Sequence, residues 1–531
     1  MPSRASRRGW IGFGLFAAAY LVSAALVFRS TVQSFPRDDR VVIRFAHWQI
    51  ETGPREAFAA VAARYMQLHP HTRIEQIAVP MSVYQQWLRT QLESDNPPDL
   101  VEFDPVLRGM EDALPRYFEP ITRWLQQPNP YNAGTPLAGH PWRETFIDGL
   151  HNRAAYSTTL RNYYGASVAM HSMRLFYNEP LLREIAGSTG PPRDFRSWLA
   201  LGDRLRARYP QKVLIAGSRD NALWTMDQLI GGGLSRFFLE SDPCHRLVVT
   251  PQEQFENYLR GGWSYRSPAV QTGLRMLRAY GEQMSPSFLQ LDRNSAVQHF
   301  VRGEALMLPT GTWDVTSLRS LAPFPIGAIR LPLPRLDDPD FGGYLLGPAS
   351  DGVVSTALPL FLNRRSAHKE AALDFLRFLT SQPGDRLFSQ VSGWMPSILG
   401  VELPEFMQPM KISLEGYSTA VSLIYGPGAA TARNWQTNMH RLFAPDGGPA
   451  AFTDALAAGE RAAVRDDLRA TLATTLADLR RREPALAALA LLDSPGTTPG
   501  LSLADEQLTP QNLIETRAYL LRETLAATRT P

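Results

Sequence analysis

Residues 41–79 read VVIRFAHWQIETGPREAFAAVAARYMQLHPHTRIEQIAV, and the change of period along them decides the fold class. "VVIRFAHW" is a strand. Thr52-Gly53-Pro54 then opens a helix with proline in its first turn, and Phe58, Val61, Ala62, Tyr65 and Leu68 recur at helical spacing. His69-Pro70 stops that helix, and "RIEQIAV" is the next strand. A helix through Tyr84 to Leu92 follows, then "PPDLVEF", a strand ending at Asp104. The order β-α-β-α-β marks an α/β protein with a mostly parallel sheet.

The pattern resumes downstream in the strand "RLFYN", a helix from Trp198 to Tyr209, the strand "KVLIAG" and a helix from Ala269 to Tyr280. A late strand, "GVVSTALPLFL", leads into a helix from Ser366 to Leu379. After about Gly448 the character changes. Val464, Leu468, Leu472, Leu476 and Leu479 form an apolar stripe on an otherwise charged helix, expected to pack on the body or on a partner helix, with a dimer contact as the alternative. The linker "DSPGTTPGLSLADE" precedes a last helix near Leu513 to Leu525.

At 531 residues, 44% of them hydrophobic, the chain holds more than one sizeable core. A net charge of +3 with both signs dispersed gives no electrostatic reason to expect a nucleic-acid partner. Cys244 is the only cysteine, which excludes an internal disulfide and a cysteine-rich metal site. "HPH" at His69 to His71 ends a helix without the spacing of a closed metal site; neither a metal nor a cofactor is expected.

Arg4, Arg7 and Arg8 precede an uncharged run from Trp10 to Phe28. A basic segment before an apolar one is an export signal that sends the rest of the chain out of the cytoplasm. The run is just long enough to span a bilayer and reads as an uncleaved membrane anchor; cleavage at the small residues Val22-Ser23-Ala24 is the alternative. No cysteine follows it to carry a lipid.

In "HFVRGEALMLPTGTWD", His299 to Asp314, a helix closes at Phe300, "ALMLP" is a short buried strand, and Trp313 stands at its C-terminal end after Gly311. In an open α/β sheet that end faces the ligand crevice, so the indole is a wall of a binding site or a plug over the core.

Taken in order, "VVIRFAHWQ", "YMQLHPHTRIEQIAV", "NPPDLVEFD", "SMRLFYNEPLLREIAG", "GPPRDFRSWLALGDRL", "HFVRGEALMLPTGTW", "RSAHKEAALDFLRFLTS" and "GWMPS" resemble the extracellular solute-binding proteins of family 1, the maltose- and sugar-binding components of ABC importers. The resemblance covers Val41 to about Leu399; the tail and the N-terminal run depart from it. It implies a two-lobed periplasmic-binding-protein fold of type II, each lobe a mixed sheet flanked by helices, closing on ligand by hinge motion. The expected division is 1–40 signal or anchor with linker, 41–166 first lobe, 167–322 second lobe, 323–380 first lobe again, 381–448 second lobe again, and 449–531 a C-terminal helical extension. The cleft motifs all precede Gly448, so the extension is expected to be separable from binding.

Trp313 matches the family's cleft tryptophan. A pyranose packs its C–H face on a flat aromatic while its hydroxyls need fixed polar partners. Trp48, Gln49 and Glu51 follow the first strand, where the family places its first contacts; for Trp48 the alternative is a core indole. Asp104 ends the third strand as a hydroxyl acceptor or a helix cap. His171 stands before "RLFYN" where relatives often carry a carboxylate. Among Arg219, Asp220 and Asn221 one residue is expected to reach the cleft. Asp314 is a further acceptor, and Trp394 in "GWMPS" lies over the cleft or in the core.

The expected function is non-enzymatic capture of a carbohydrate outside the inner membrane and delivery to ABC permease subunits, whose ATPase is a separate chain because no GxxxxGK[ST] loop occurs here. A carbohydrate-active enzyme using two of Glu51, Asp104 and Asp314, and a membrane-tethered sugar sensor, are the alternatives.

Overall fold

The structure, a computed structural model, describes residues 40–528 except 105–112, 153, 158–159, 188–189, 243–248, 352–355, 414, 418–421 and 493–502. The N-terminal run, Cys244 and most of the linker lie outside the described residues.

The opening stretch folds as its period requires: β1 (Val41–His47), α1 (Thr52–Leu68), β2 (Thr72–Ala78), α2 (Met81–Glu93) and β3 (Leu100–Glu102), with β1 parallel to both β2 and β3. Phe58, Val61, Ala62 and Tyr65 turn one face of α1 into the core, whereas Leu68 is 47% exposed at the frayed end. β4 (Gly165–Met170) continues this sheet, and β5 (Met173–Asn178) begins a second one. The second half carries α3 (Phe195–Arg208), β6 (Val213–Ile215), α4 (Arg219–Gly233), α5 (Pro268–Gly281), α6 (Arg293–Val301), β7 (Ala305–Gly311), α7 (Val315–Leu321) and β8 (Ile326–Ile329). The chain then returns through β9 (Thr356–Leu362), α8 (Lys369–Leu379), α9 (Gln382–Ser392) and β10 (Met395–Pro396). Last come α10 (Ala429–Asn438), α11 (Pro449–Leu492) and α12 (Leu503–Ala527).

The first sheet has the order β10–β4–β9–β3–β1–β2 and the second β8–β5–β7–β6. Both are mixed: β9 runs antiparallel to β3 and β4, and β5 antiparallel to β7 and β8. Each has its own core. Phe45, Phe58, Phe375 and Phe388 centre one; Trp198, Tyr280, Leu274 and Trp435 centre the other. This is the two-lobed α/β architecture.

Sheet pairing moves three of the expected boundaries. β4 stays in the first sheet through Met170, so the crossing is at His171-Ser172 and not at 166–167. Ile326–Ile329 pairs with β5 of the second sheet, although 323–380 was expected in the first lobe. α9 packs on α1, and β10 pairs with β4, so residues 382–396 belong to the first sheet's side although 381–448 was assigned to the second lobe. Gly53 makes the α1–α9 contact feasible: a Cβ there would lie 2.9 Å from the Ser392 carbonyl oxygen.

The crossings are cross-braced. The Thr312 N–H donates to the Ser172 carbonyl (2.9 Å), the Ser172 N–H donates to Thr312 Oγ1 (3.2 Å), and Ser172 Oγ donates to the Met410 carbonyl (3.1 Å). The buried Arg174 guanidinium forms a two-pronged pair with Asp351 (2.9 and 3.1 Å) and donates to the Met410 and Lys411 carbonyls. One arginine thus ties together three segments that run between the lobes.

The apolar stripe on α11 packs where the body expectation put it. Phe452, Leu456, Val464 and Leu468 are fully buried in the second core, and Leu472 lies against it. Beyond them α12 runs back along α11, with Arg482 Nε donating to Gln511 Oε1 (3.2 Å). Leu521 and Leu525 return to the same core. α12 starts ten residues earlier than the leucine spacing suggested, and takes in the "LADE" of the linker.

Candidate functional site

Gly311 and Trp313 explain one another. A Cβ on Gly311 would lie 2.2 Å from the Trp313 ring, so the indole folds back over the strand end that carries it. The ring is half-buried and, although its strand belongs to the second sheet, it packs against the core of the first. Trp313 is therefore a half-buried bridge at the junction of the lobes.

Two rings flank it. His171, on the first crossing, lies 5.1 Å away edge-on, and Trp224, from the second turn of α4, lies 6.0 Å away. Burial lowers the His171 pKa to about 4, so the imidazole is neutral; its Nδ1 is buried without a hydrogen-bond partner. Three residues further along the same face of α4 is Asp227, half-buried and accepting a hydrogen bond from the Ser422 hydroxyl. Burial pushes its carboxyl up to about 7, against the opposing effect of that hydrogen bond. Tyr425, half-buried one turn beyond Ser422, lies within the field of Asp227 and Asp220.

Across the junction, the ends of β1 and β3 present Trp48, Gln49, Glu51 and Glu102. Trp48 is half-buried and meets Tyr84 edge-on at 5.3 Å. The fully buried Glu102 accepts from the Trp48 N–H (3.0 Å) and from the Gln49 amide (2.8 Å). Burial pushes the Glu102 carboxyl up to about 8, with the charges of Glu51 and Asp104 adding to the shift. Glu51, at the N-terminus of α1, holds one buried carboxyl oxygen without a hydrogen-bond partner. The two walls converge on Ser392, whose carbonyl accepts from Thr316 Oγ1 (2.6 Å) three residues after Trp313 and abuts Gly53 two residues after Glu51.

The structure thus brings His171 and Trp313 together, and sets Trp48, Gln49 and Glu51 at the end of β1, joined to Trp313 only through Ser392. Others are committed elsewhere. Asn221 is 1% exposed and completes a capping box with Ser218, its amide oxygen accepting the Ser218 N–H at 2.6 Å. Arg219 is exposed, 3.9 Å from Asp220. Asp314 is buried and engaged by Thr310 Oγ1 (2.6 Å) and Arg293. Trp394 is 3% exposed in the first core. Asp104 lies beyond the end of β3, beside residues outside the described set. Sequence reasoning missed Trp224 and Asp227 as a pair, Ser422, Tyr425 and Glu102. An i, i+3 aromatic–carboxylate pair near a helix start was the available signal for the first two.

Among the described residues, no group of three or more His, Cys, Asp or Glu side chains is placed to hold a metal ion, and no helix is long and apolar enough to cross a membrane. Half-buried indoles beside a neutral imidazole and carboxyl groups can pack apolar faces and exchange hydrogen bonds with hydroxyls.

The family model described as bacterial extracellular solute-binding protein matches residues 60–411. No curated protein matches the chain in sequence. Among solved structures, apo RafE from Streptococcus pneumoniae is similar with a TM-score of 0.56 at 15% identity, over 81% of this chain and 99% of that one. RafE in complex with raffinose gives 0.53 at 15% identity, over 80% and 100%. The sugar-binding protein MalE from Xanthomonas citri gives 0.54 at 18% identity, over 80% and 98%. At these identities the likeness is one of fold.

Proposed function

Since the chain belongs to the bacterial extracellular solute-binding proteins, we propose that it captures a carbohydrate in the crevice between its two sheets and delivers it to the permease subunits of an ABC importer. The observation that carries this reading is the half-buried Trp313, set between His171 and Trp224 where the lobes meet. A tryptophan held in place by a glycine, beside a neutral imidazole and an Arg293–Asp314 pair whose charges offset one another, suits a pyranose. That RafE binds raffinose, and that MalE is described as sugar-binding, supports the same class.

In this reading the crossings at His171-Ser172, between β8 and β9, and after β10 flex as the lobes close on the sugar. Nucleotide hydrolysis belongs to a separate chain. The N-terminal apolar run exports the protein and tethers it outside the inner membrane.

Thermal melts of the full chain with a panel of neutral mono-, di- and trisaccharides, raffinose among them, test the reading, because a ligand that binds only the native state raises its melting temperature. Product formation from the same panel would instead identify a carbohydrate-active enzyme. Fractionation and N-terminal sequencing test the tether: a mature chain beginning near Ala25 would exclude it.

A further inference from the structure

Asp227, one turn along α4 from Trp224, is engaged by a residue far along the chain that leads into the root of the C-terminal extension. Ser422 donates to Asp227 and, through the same oxygen, accepts the Tyr425 N–H (2.9 Å). Tyr425-Gly426-Pro427-Gly428 then turns directly into α10, with Gly426 in the left-handed region at φ +56°.

α10 has no cap of its own, because Gly428 at its N-cap position has no side chain to offer. Its first-turn donors go instead to Asp467, halfway along α11. The Ala430 N–H (2.9 Å), the Thr431 N–H (2.8 Å) and the Thr431 hydroxyl (2.6 Å) all donate to that one carboxylate, which is 7% exposed. Residue 428 is glycine for this reason: a Cβ would lie 2.6 Å from Asp467 Cγ. Further along, the Asn434 amide donates to Glu460 (2.7 Å) and to the Leu456 carbonyl (3.1 Å), a second fastening of α10 to α11.

A cap supplied locally fixes a helix only relative to its own flanking residues. A carboxylate supplied by another helix fixes it relative to that helix, and the positive end of the α10 dipole favours the contact. We propose that Asp467 is a positioning residue for the cleft: by capping α10 from α11 it holds the Ser422–Tyr425 turn in place, with Ser422 on Asp227 one turn along α4 from Trp224. The root of the extension is then part of the binding apparatus. As a statement about a sugar cleft, the inference rests on the function proposed above.

The test uses the full chain carrying Asp467→Ala or Asp467→Asn, read first without ligand by amide hydrogen exchange. Asp467→Ala should speed exchange across residues 422–431 by about five- to tenfold, the change that loss of a helix cap produces. Asp467→Asn, which retains one acceptor oxygen, should lie between it and the parent, and exchange in α5 of the same core should stay near the parent rate. Unchanged exchange in 422–431, or equal acceleration throughout the second core, would overturn the proposal. Raffinose affinity is the second readout. In a parent that binds it, Asp467→Ala should weaken binding, and adding Asp227→Asn should weaken it little more; full additivity would mean that Asp467 does not act through Asp227. A parent that binds no saccharide while 422–431 still loosens would count against the sugar and leave the positioning role standing.

Discussion

The indole of Trp224 meets that of Trp313 edge to face, with ring centroids 6.0 Å apart and planes at 86°. The pair joins the second turn of α4 to the end of β7. If it is a sugar platform, Trp313→Ala should cost roughly 2–4 kcal/mol of saccharide binding, as hot-spot aromatics do. Trp313→Phe should recover part of the loss, because a smaller ring still offers a flat face. Calorimetric titration checks this, and ligand should perturb tryptophan fluorescence in the parent more than in the mutant. Trp313→Ala protein that is mostly unfolded, with a folded fraction that binds normally, would make the residue a core plug.

Gly311 offers a way to displace the indole without deleting it. Its φ of −78° suits any residue, so Gly311→Ala brings no backbone strain, only a Cβ 2.2 Å from the Trp313 ring. The ring must rotate away from the strand. Affinity should fall towards that of Trp313→Ala, with a shifted emission maximum and a smaller fall in melting temperature. Parental affinity for Gly311→Ala would show that the site tolerates another ring position.

Stability should fall as pH rises from about 6.5 to about 8. Glu102 is pushed up to about 8, and Asp227 and Glu460 to about 7, each by burial, from ordinary values of 4.5, 3.8 and 4.5. The native state therefore keeps protons that the unfolded chain has already released, and stability declines with pH until the native groups ionise. Buried His47 and His171, lowered to about 4, act oppositely, but mainly below their ordinary 6.5. Buried Asp385, also pushed up by burial, adds to the same trend as the other carboxyls, and above pH 6.5 the carboxyls outweigh the fading contribution of the histidines. Asp227→Asn should flatten part of the slope in thermal melts. A melting temperature that rises over this interval would contradict the assignment.

Which parts of this were legible in the sequence follows from the range of each interaction. The period of residues 41–79 and the strand ending in Gly311 gave the α/β class and placed Trp313, because hydrophobic spacing is a local property. Ile326–Ile329 and Met395–Pro396 were not recognised as strands: runs of four and two residues carry no alternation, and their pairing partners lie far away. The hydrogen bond from Ser422 to Asp227 spans 195 residues and leaves no local trace. Asn221 was readable and was misread. Three residues after Ser218, at the start of a helix, it fits a capping box better than a ligand contact.

Arg174 and Asp351 should prove costly to separate. The guanidinium is wholly buried and its carboxylate partner largely so. Asp351→Ala leaves a buried cation without its counter-charge, a change worth about 3–5 kcal/mol. Chemical denaturation should show that loss in the single mutant, and Arg174→Met added to it should restore part. No recovery in the double mutant would mean that Arg174 stabilises the crossings through its carbonyl contacts alone.

Two truncations should behave very differently, contrary to the sequence-based expectation that everything after Gly448 is separable from binding. Ending the chain at Gly448 removes Phe452, Leu456, Val464 and Leu468, all fully buried in the second core, together with Asp467. A buried leucine is worth about 2–5 kcal/mol when cut back to alanine, and a phenylalanine about 3–5, so losing two leucines, a phenylalanine and a valine outright is comparable to the whole margin of a typical domain, roughly 5–15 kcal/mol. That chain should fail to fold its second lobe and should bind no ligand. Ending it after Leu492 removes α12 and the linker before it. The losses then include Leu521 and Leu525, the hydrogen bonds from Arg260 to Thr524 (2.8 Å) and from Arg482 to Gln511 (3.2 Å), and the ion pair of Arg517 with Glu256 (2.7 Å). Asp467, α10 and the Tyr425 turn all stay in place. This shorter protein should melt lower while its saccharide affinity stays close to the parent's. A chain ending at Gly448 that melts and binds like the parent would show that α11 is an appendage after all.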